Sequence, residues 1–306
     1  MTTWILLRGL TRESGHWGAF AALLQHRHPD SRIVTLDLPG NGSFNRQASP
    51  TRIEAMTQWC RDHLRSQGMA PPYRLLAMSM GAMVAVDWAA CAPQEILGCV
   101  LINTSLRPVS AWYRRLRPSN YASLLALALS PDFGGGHERT ILRLTSRNPV
   151  AAAAVLDDWT RLRRTRPVAT VNALRQLLAA ARYRAATTAP AVPLLLLASR
   201  RDGLVDSRCS QQLAQRWRTD IAIHEDAGHD LTLDDAPWVA DEIGRWLAAR
   251  RSGAGPGLTP APCRRAPVGM SSHLVMSVTT IRTGCASSSA TQPEMIEPIC
   301  TSSCPT

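Results

Sequence analysis

A serine set between a strand-like run and a helix-like run is the first feature with chemical consequence. In Leu75-Leu76-Ala77-Met78-Ser79-Met80-Gly81-Ala82 an apolar run reaches Ser79, and a helical pattern starts at once. A tight turn of this kind strains the backbone but lifts the hydroxyl clear of a sheet. Strand and helix then approach so closely that the residues two before and two after must be small, and Ala77 and Gly81 are. A helix starting at Met80 aims its backbone N–H groups and positive dipole end at developing negative charge. Serine alone is a weak nucleophile and needs a base and an orienting acid. Ala227-Gly228-His229 offers the base, after the last strand-like run and before the last helical one. Ser199-Arg200-Arg201-Asp202-Gly203-Leu204-Val205 offers the acid at the end of the preceding strand. Loops at the C-terminal ends of parallel strands are where ligand chemistry collects. Ser79, Asp202 and His229 are therefore the expected catalytic triad.

Plainer readings compete with it. A serine before a helix also serves as an N-cap. Asp206 is the main rival to Asp202 as the acid, and Asp226 is another. His16, His26, His28, His63, His137, His224 and His273 lack the Ala-Gly-His setting and receive no role. Met78 and Met83 are candidates for a substrate pocket, since methionine adapts to varied apolar groups, and core packing is the competing use.

The elements that must position these residues alternate. Strands are expected at Trp4–Leu7, Arg32–Leu36, Arg74–Met78, Leu97–Ile102, Val192–Ala198 and Ile221–His224. Helices are expected near His16–His26 and at Ile53–Ser66, Met80–Ala90 and Pro237–Ala249. The last has Val239, Ile243, Trp246 and Leu247 on one face. Pro39-Gly40-Asn41-Gly42 is a strong turn signal. Alternation of this kind implies an α/β fold, a mostly parallel sheet covered by helices on both faces. Residues 107–188 break the pattern: they hold no convincing strand and read as a helical cap inserted between two strands. The cap carries 14 arginines against Asp132, Glu138, Asp157 and Asp158. After about residue 251 Gly, Pro, Ser, Thr and Cys dominate, so 251–306 is read as a disordered tail and 1–250 as the folded domain.

A length of 306 residues suits one large α/β domain or two small ones, either able to bury a sizeable core. No apolar run approaches the roughly 18 residues needed to span a bilayer. The longest runs, Leu124–Leu129 and Leu194–Ala198, are expected as buried elements. Trp4–Leu7, interrupted by Arg8, is too short for a signal core, which implies a cytoplasmic protein. The formal charge of +11 raises the question of nucleic acid, yet all 34 basic residues are arginine. With no nucleic-acid-binding pattern present, the basic character is read as compositional, and no nucleic-acid partner is expected. Cys60, Cys91, Cys99 and Cys209 are expected as buried thiols. Cys263, Cys285, Cys300 and Cys304 match no zinc spacing, and no metal or other cofactor is expected.

Taken in order, these stretches resemble the α/β-hydrolase family, in particular its single-domain esterase and lyase-like members. Arg8-Gly9-Leu10 resembles the family's His-Gly-X oxyanion loop, and Asp37-Leu38-Pro39-Gly40-Asn41-Gly42-Ser43 its D-x-P-G-x-G-x-S turn. Ala77–Gly81 resembles the nucleophile elbow, with Asp202 and His229 following in the family's order. Arg8 stands where the usual residue is His, Ala77 where the elbow has its first Gly, and Asn41 where many members have His. The first expected strand starts almost at Met1, so the family's N-terminal antiparallel hairpin is not expected ahead of it. The resemblance implies an oxyanion hole formed by the backbone N–H groups of Leu10 and Met80. It implies hydrolysis of a small-molecule carboxylic ester or thioester through an acyl-enzyme on Ser79, with an anionic substrate made attractive by the cap arginines. Two alternatives stay open. Some similar members, a synthase of the menaquinone pathway among them, use the triad for C–C cleavage or elimination on a carboxylate substrate. A non-catalytic hydrolase-like binding protein is the other. Oligomeric state is not set by the sequence.

Overall fold

The strands form where Val, Ile and Leu cluster between turn residues. β1 (Thr2–Leu7), β2 (Ser31–Leu36), β3 (Tyr73–Met78), β4 (Ile96–Ile102), β5 (Leu194–Ser199) and β6 (Asp220–His224) build one sheet. Their order is β2-β1-β3-β4-β5-β6, and every neighbouring pair is parallel. The computed structural model describes residues 1–129 and 135–252, and the statements below concern those residues.

Side chains alternate across a strand, and both faces of this sheet are used. Ile5, Leu7, Leu75, Ala77, Leu101 and Leu196 point to one side, where α2 (Ile53–Ser66), α3 (Met80–Cys91) and α9 (Arg208–Trp217) cover them. Trp4, Leu6, Leu76, Val100, Ile102 and Leu197 point to the other, under α1 (Phe20–Arg27) and α11 (Ala236–Arg251). The central strands are apolar on both faces for this reason. The edge strands β2 and β6 are only half-buried. A short α10 (Leu231–Asp234) precedes α11.

Between β4 and β5 the chain runs through α4 (Trp112–Arg115), α5 (Tyr121–Leu129), α6 (Gly136–Thr145), α7 (Pro149–Thr165) and α8 (Thr170–Arg182). No strand joins the sheet from this segment; Arg107 and Arg184 form only an isolated bridge. No helix among the described residues is long and apolar enough to cross a membrane.

Three expectations need correction. The helix near His16–His26 is broken: a short helical turn covers Ser14–Trp17, and α1 starts at Phe20. Gly18 lies between them at φ +50°, a conformation that ends a helix. The run Leu124–Leu129 is not a buried element throughout, because Leu125 is 60% exposed on α5. An all-round apolar helix of Ala and Leu gives no stripe to tell its buried side from its open one. Of the four cysteines expected to be buried, Cys60, Cys99 and Cys209 are, whereas Cys91 at the end of α3 is exposed. The expected disordered tail beyond Ser252 lies outside the described residues, with Cys263, Cys285, Cys300 and Cys304.

Candidate active site

The strand order reverses at β1, with β2 on one side and β3 to β6 on the other. Loops leaving β1 and β3 therefore part at their C-terminal ends and open a crevice there. Ser79 follows β3 and Arg8-Gly9-Leu10 follows β1, so the topology brings them together.

Ser79 has φ +54° and ψ −118°, a conformation costly for a residue with a side chain. It is held by its own N–H, which donates to the Ile102 carbonyl at 2.9 Å, and by its carbonyl, which accepts from Ala82 at 3.1 Å. Its side chain makes no capping hydrogen bond to α3, so the N-cap reading does not describe this serine. Gly81 shows why small residues are needed. A Cβ there would sit 2.6 Å from the carbonyl oxygens of both Leu7 and Arg8. Gly9 approaches from the other side: a Cβ on it would lie 3.0 Å from Ser79 Cβ. Leu10 follows it, half-buried against the core. Met80 opens the first turn of α3.

His229 Nδ1 lies 2.7 Å from Asp202 Oδ2, and both residues are buried. A carboxylate only accepts, so Nδ1 carries the proton and Nε2 keeps its lone pair. The other oxygen, Asp202 Oδ1, accepts from the N–H groups of Leu204 at 2.8 Å and Val205 at 2.9 Å. That turn fixes the carboxylate. Neither rival acid meets His229. Asp206 accepts from Arg208 N, and Asp226 pairs with Arg201 on the surface. Burial is the largest influence on the His229 ring and disfavours its charged form. The Asp202 charge and hydrogen bond, with help from Asp230, outweigh it, and the ring is held above the usual imidazole value.

Two buried connections support this pair, and sequence reasoning did not find either. Asn103, at φ +47° just after β4, donates to Ser199 Oγ at 2.9 Å and to the His229 carbonyl at 2.8 Å. Its own oxygen accepts from Ser199 N at 2.8 Å. One amide thus clips the ends of β4 and β5 to the histidine loop. Arg8 makes a bidentate pair with Asp230, Nη2 to Oδ2 at 2.5 Å and Nη1 to Oδ1 at 3.2 Å. The guanidinium lies over the Trp17 ring, 4.9 Å from its centre. The loop that carries Leu10 is thereby tied to the residue after His229. An arginine in place of the family's histidine was the available signal; its partner, 222 positions away, was not.

The segment between β4 and β5 rests on these same loops. Thr11 N donates to Gln176 Oε1 on α8 at 2.9 Å, and Arg12 pairs with the buried Glu138 of α6 at 2.5 Å. Asp230 N donates to the Thr145 carbonyl at the end of α6 at 2.8 Å. Gln176 also donates to Asn41 Oδ1 at 2.7 Å, in the turn after β2. In that turn Gly42, at φ +49°, lies against Asp37, where any Cβ would come within 2.1 Å of its carboxylate. A groove of about 470 Å³ runs between α6 and α7 over Leu142 and Leu156, edged by Arg139, Arg143 and Arg147. Arg147 also lies against Gly203 and Gly228, the neighbours of Asp202 and His229. Met78 and Met83 are buried in the two core clusters, one on each side of the sheet. Among the described residues no group of three or more His, Cys, Asp or Glu is placed to hold a metal ion.

Comparison with known proteins agrees with this architecture. The chain is 24% identical over 244 residues to the pimeloyl-[acyl-carrier protein] methyl ester esterase of Xylella fastidiosa (strain M12). It is 26% identical over 253 residues to the protein of that name from Xanthomonas campestris pv. campestris (strain B100). Each match covers 76% of this chain and 91% of the relative. Among solved structures, a thermophilic esterase from Thermogutta terrifontis superposes with a TM-score of 0.64 at 20% identity, covering 81% of this chain and 90% of that one. An alpha/beta hydrolase fold protein from Chitinophaga pinensis gives a TM-score of 0.64 at 14% identity, covering 80% and 89%. Residues 4–242 match the model of the alpha/beta hydrolase family, and the chain belongs to that family.

Proposed function

We propose that the protein is a serine hydrolase of carboxylic esters or thioesters, with Ser79 as nucleophile, His229 as base and Asp202 as the orienting acid. The observation that carries the reading is the buried His229–Asp202 pair, clipped through Asn103 to the end of β4, where the Ile102 carbonyl accepts from Ser79 N in its strained turn; among the described residues no hydrogen bond joins the Ser79 hydroxyl to His229. His229 Nε2 takes the Ser79 proton as the hydroxyl attacks the carbonyl. The backbone N–H groups of Met80 and Leu10 hold the oxyanion, aided by the dipole of α3. His229 then protonates the leaving group and activates water, while Asp202 keeps Nδ1 protonated and stabilises the charged ring. Helices α4 to α8 act as a cap that shields this chemistry from water.

The substrate is read as an ester bearing negative charge near the acyl or alcohol portion. The relatives' name supports an ester on an acyl carrier, and the arginine edge beside Gly203 and Gly228 supports an anion. The reading is tested by labelling with a fluorophosphonate and by a panel of p-nitrophenyl esters of graded chain length. Wild type should label and turn over, and Ser79→Ala should do neither while keeping its melting temperature. Trapping an acyl-enzyme by mass spectrometry separates hydrolysis from a triad that only moves protons. An unchanged rate in Ser79→Ala would remove Ser79 from the mechanism.

A further inference from the structure

Helix α8 is turned inside out. Its large buried side chains are polar, with only Ala179 joining the core: Asn172 accepts from Ser49 N and donates to the Gln47 carbonyl, and Gln176 bonds Thr11, Asn41 and Ser49. Its open face is apolar. Val171, Leu174 and Leu178, spaced i, i+3 and i+7, are 59%, 56% and 39% exposed, and Leu177 flanks them at 42%. Helix α4 abuts the C-terminal end of α8, where Arg115 donates to the Ala180 carbonyl at 2.7 Å. It adds Trp112 and Tyr113, 68% and 47% exposed. An ordinary surface helix does the reverse, and apolar exposure clustered on one helix face in this way marks an interaction surface.

The charge around the face selects the partner. Residues 106–129 and 167–201 contain no Asp or Glu. Arg175 and Arg182 lie on α8 beside the stripe, Arg184 follows it, Arg114 lies on α4 and Arg107 precedes it. Among the described residues none of these five pairs with a carboxylate. A second copy of this face would bring like charges together. The chain beyond Ser252 offers three arginines against two glutamates and so no complementary charge. Leucine and valine with Trp and Tyr beside them, bordered only by arginine, fit a surface that is apolar below and anionic at its head groups. We propose that the α8–α4 face docks the protein on an anionic lipid surface, with Val171, Leu174 and Leu178 entering the acyl boundary and Arg182 and Arg184 at the phosphates. Gln176, on the opposite side of α8, bonds Thr11, the residue after Leu10, so the docked surface lies about one helix diameter, roughly 10 Å, from the proposed oxyanion loop.

The test uses the full chain and reads binding rather than turnover, so it stands whether or not the hydrolase reading holds. Co-sedimentation is measured with vesicles of phosphatidylcholine alone and of phosphatidylcholine with phosphatidylglycerol, at low and high salt. Wild type should bind the anionic vesicles at least tenfold better than the neutral ones, with the preference falling at high salt. Leu174→Asp with Leu178→Asp should lose at least tenfold in binding, and Arg182→Gln with Arg184→Gln at least threefold. Val150→Asp, an exposed apolar position on α7, should bind as wild type does. Far-ultraviolet circular dichroism and melting curves of every variant should match wild type. Milder Leu174→Ala with Leu178→Ala serves if the aspartates prevent folding. Equal binding by wild type and the leucine variants would reduce the effect to general basicity and overturn the proposal. So would absence of binding, or self-association through this face in sedimentation velocity without lipid.

Discussion

At the residue scale, the pair His229–Asp202 makes a signed prediction about pH. The active base is the neutral ring, and the Asp202 charge and hydrogen bond hold that ring above its ordinary value against the effect of burial. The acid limb of kcat/KM should therefore lie above pH 6.5. Asp202→Asn removes the charge that favours the imidazolium, so the limb should move to lower pH. kcat should fall about 10³–10⁴-fold, because the tautomer is no longer fixed. A stopped rate with an unmoved limb would separate Asp202 from the base. The Arg8–Asp230 pair makes a second prediction, this one about stability. Both groups are buried, so removing only the guanidinium leaves a carboxylate without its counter-charge. Arg8→Met should cost about 3–5 kcal/mol in urea unfolding. Arg8→Met combined with Asp230→Leu should recover much of that loss. A single variant as stable as wild type would show that the pair contributes nothing.

At the element scale, the sheet was legible because β1, β3, β4 and β5 are buried on both faces and read as apolar runs between turn residues. Helix α2 was legible to its ends, with Ile53, Met56, Cys60 and Leu64 buried at helical spacing. The candidates Ser79, Asp202 and His229 stood out in the sequence because each follows a strand in a short local motif. What failed depended on partners far along the chain. The inversion of α8 needs Ser49 and Asn41, and the clip at Asn103 needs Ser199 and His229. Neither leaves a local pattern. Glu95, between α3 and β4, is a third such junction. It accepts from Arg61 and Arg65 of α2 and from the Trp88 indole of α3, with distances of 2.7–2.9 Å. The Arg61 hydrogen bond leads the forces that hold this carboxyl down at about 2, from 4.5. A depressed carboxyl stabilises the fold above its unfolded value, and that contribution is lost as pH falls through the folded one. Wild type should therefore outlast Glu95→Gln in urea near neutrality, with the difference shrinking from pH 4.5 toward pH 2. Parallel curves over that range would place the stabilisation elsewhere.

At the scale of the whole molecule, charge is the property that reaches beyond the site. The chain carries +11, all of its cations are arginine, and the segment between β4 and β5 holds 14 of them. Arg139 and Arg143 edge the α6–α7 groove without a carboxylate partner among the described residues, and Arg147 stands between that groove and the glycines beside Asp202 and His229. Two effects follow for an approaching anion. The field of the molecule raises its encounter rate, and the guanidinium forks pair with it once it arrives. The first is screened over a Debye length of about 8 Å at physiological ionic strength, while pairing in the groove is screened less. Matched neutral and carboxylate-bearing esters divide the two. At low salt kcat/KM should favour the charged ester, and high salt should reduce the preference while leaving the neutral ester unaffected. Arg143→Gln with Arg147→Gln should remove the part of the preference that survives salt, through KM rather than kcat, because neither side chain touches the reacting atoms. Equal kcat/KM for both esters at low salt would detach the arginines from substrate choice and leave the proposed machinery at Ser79, Asp202 and His229 with the N–H groups of Leu10 and Met80.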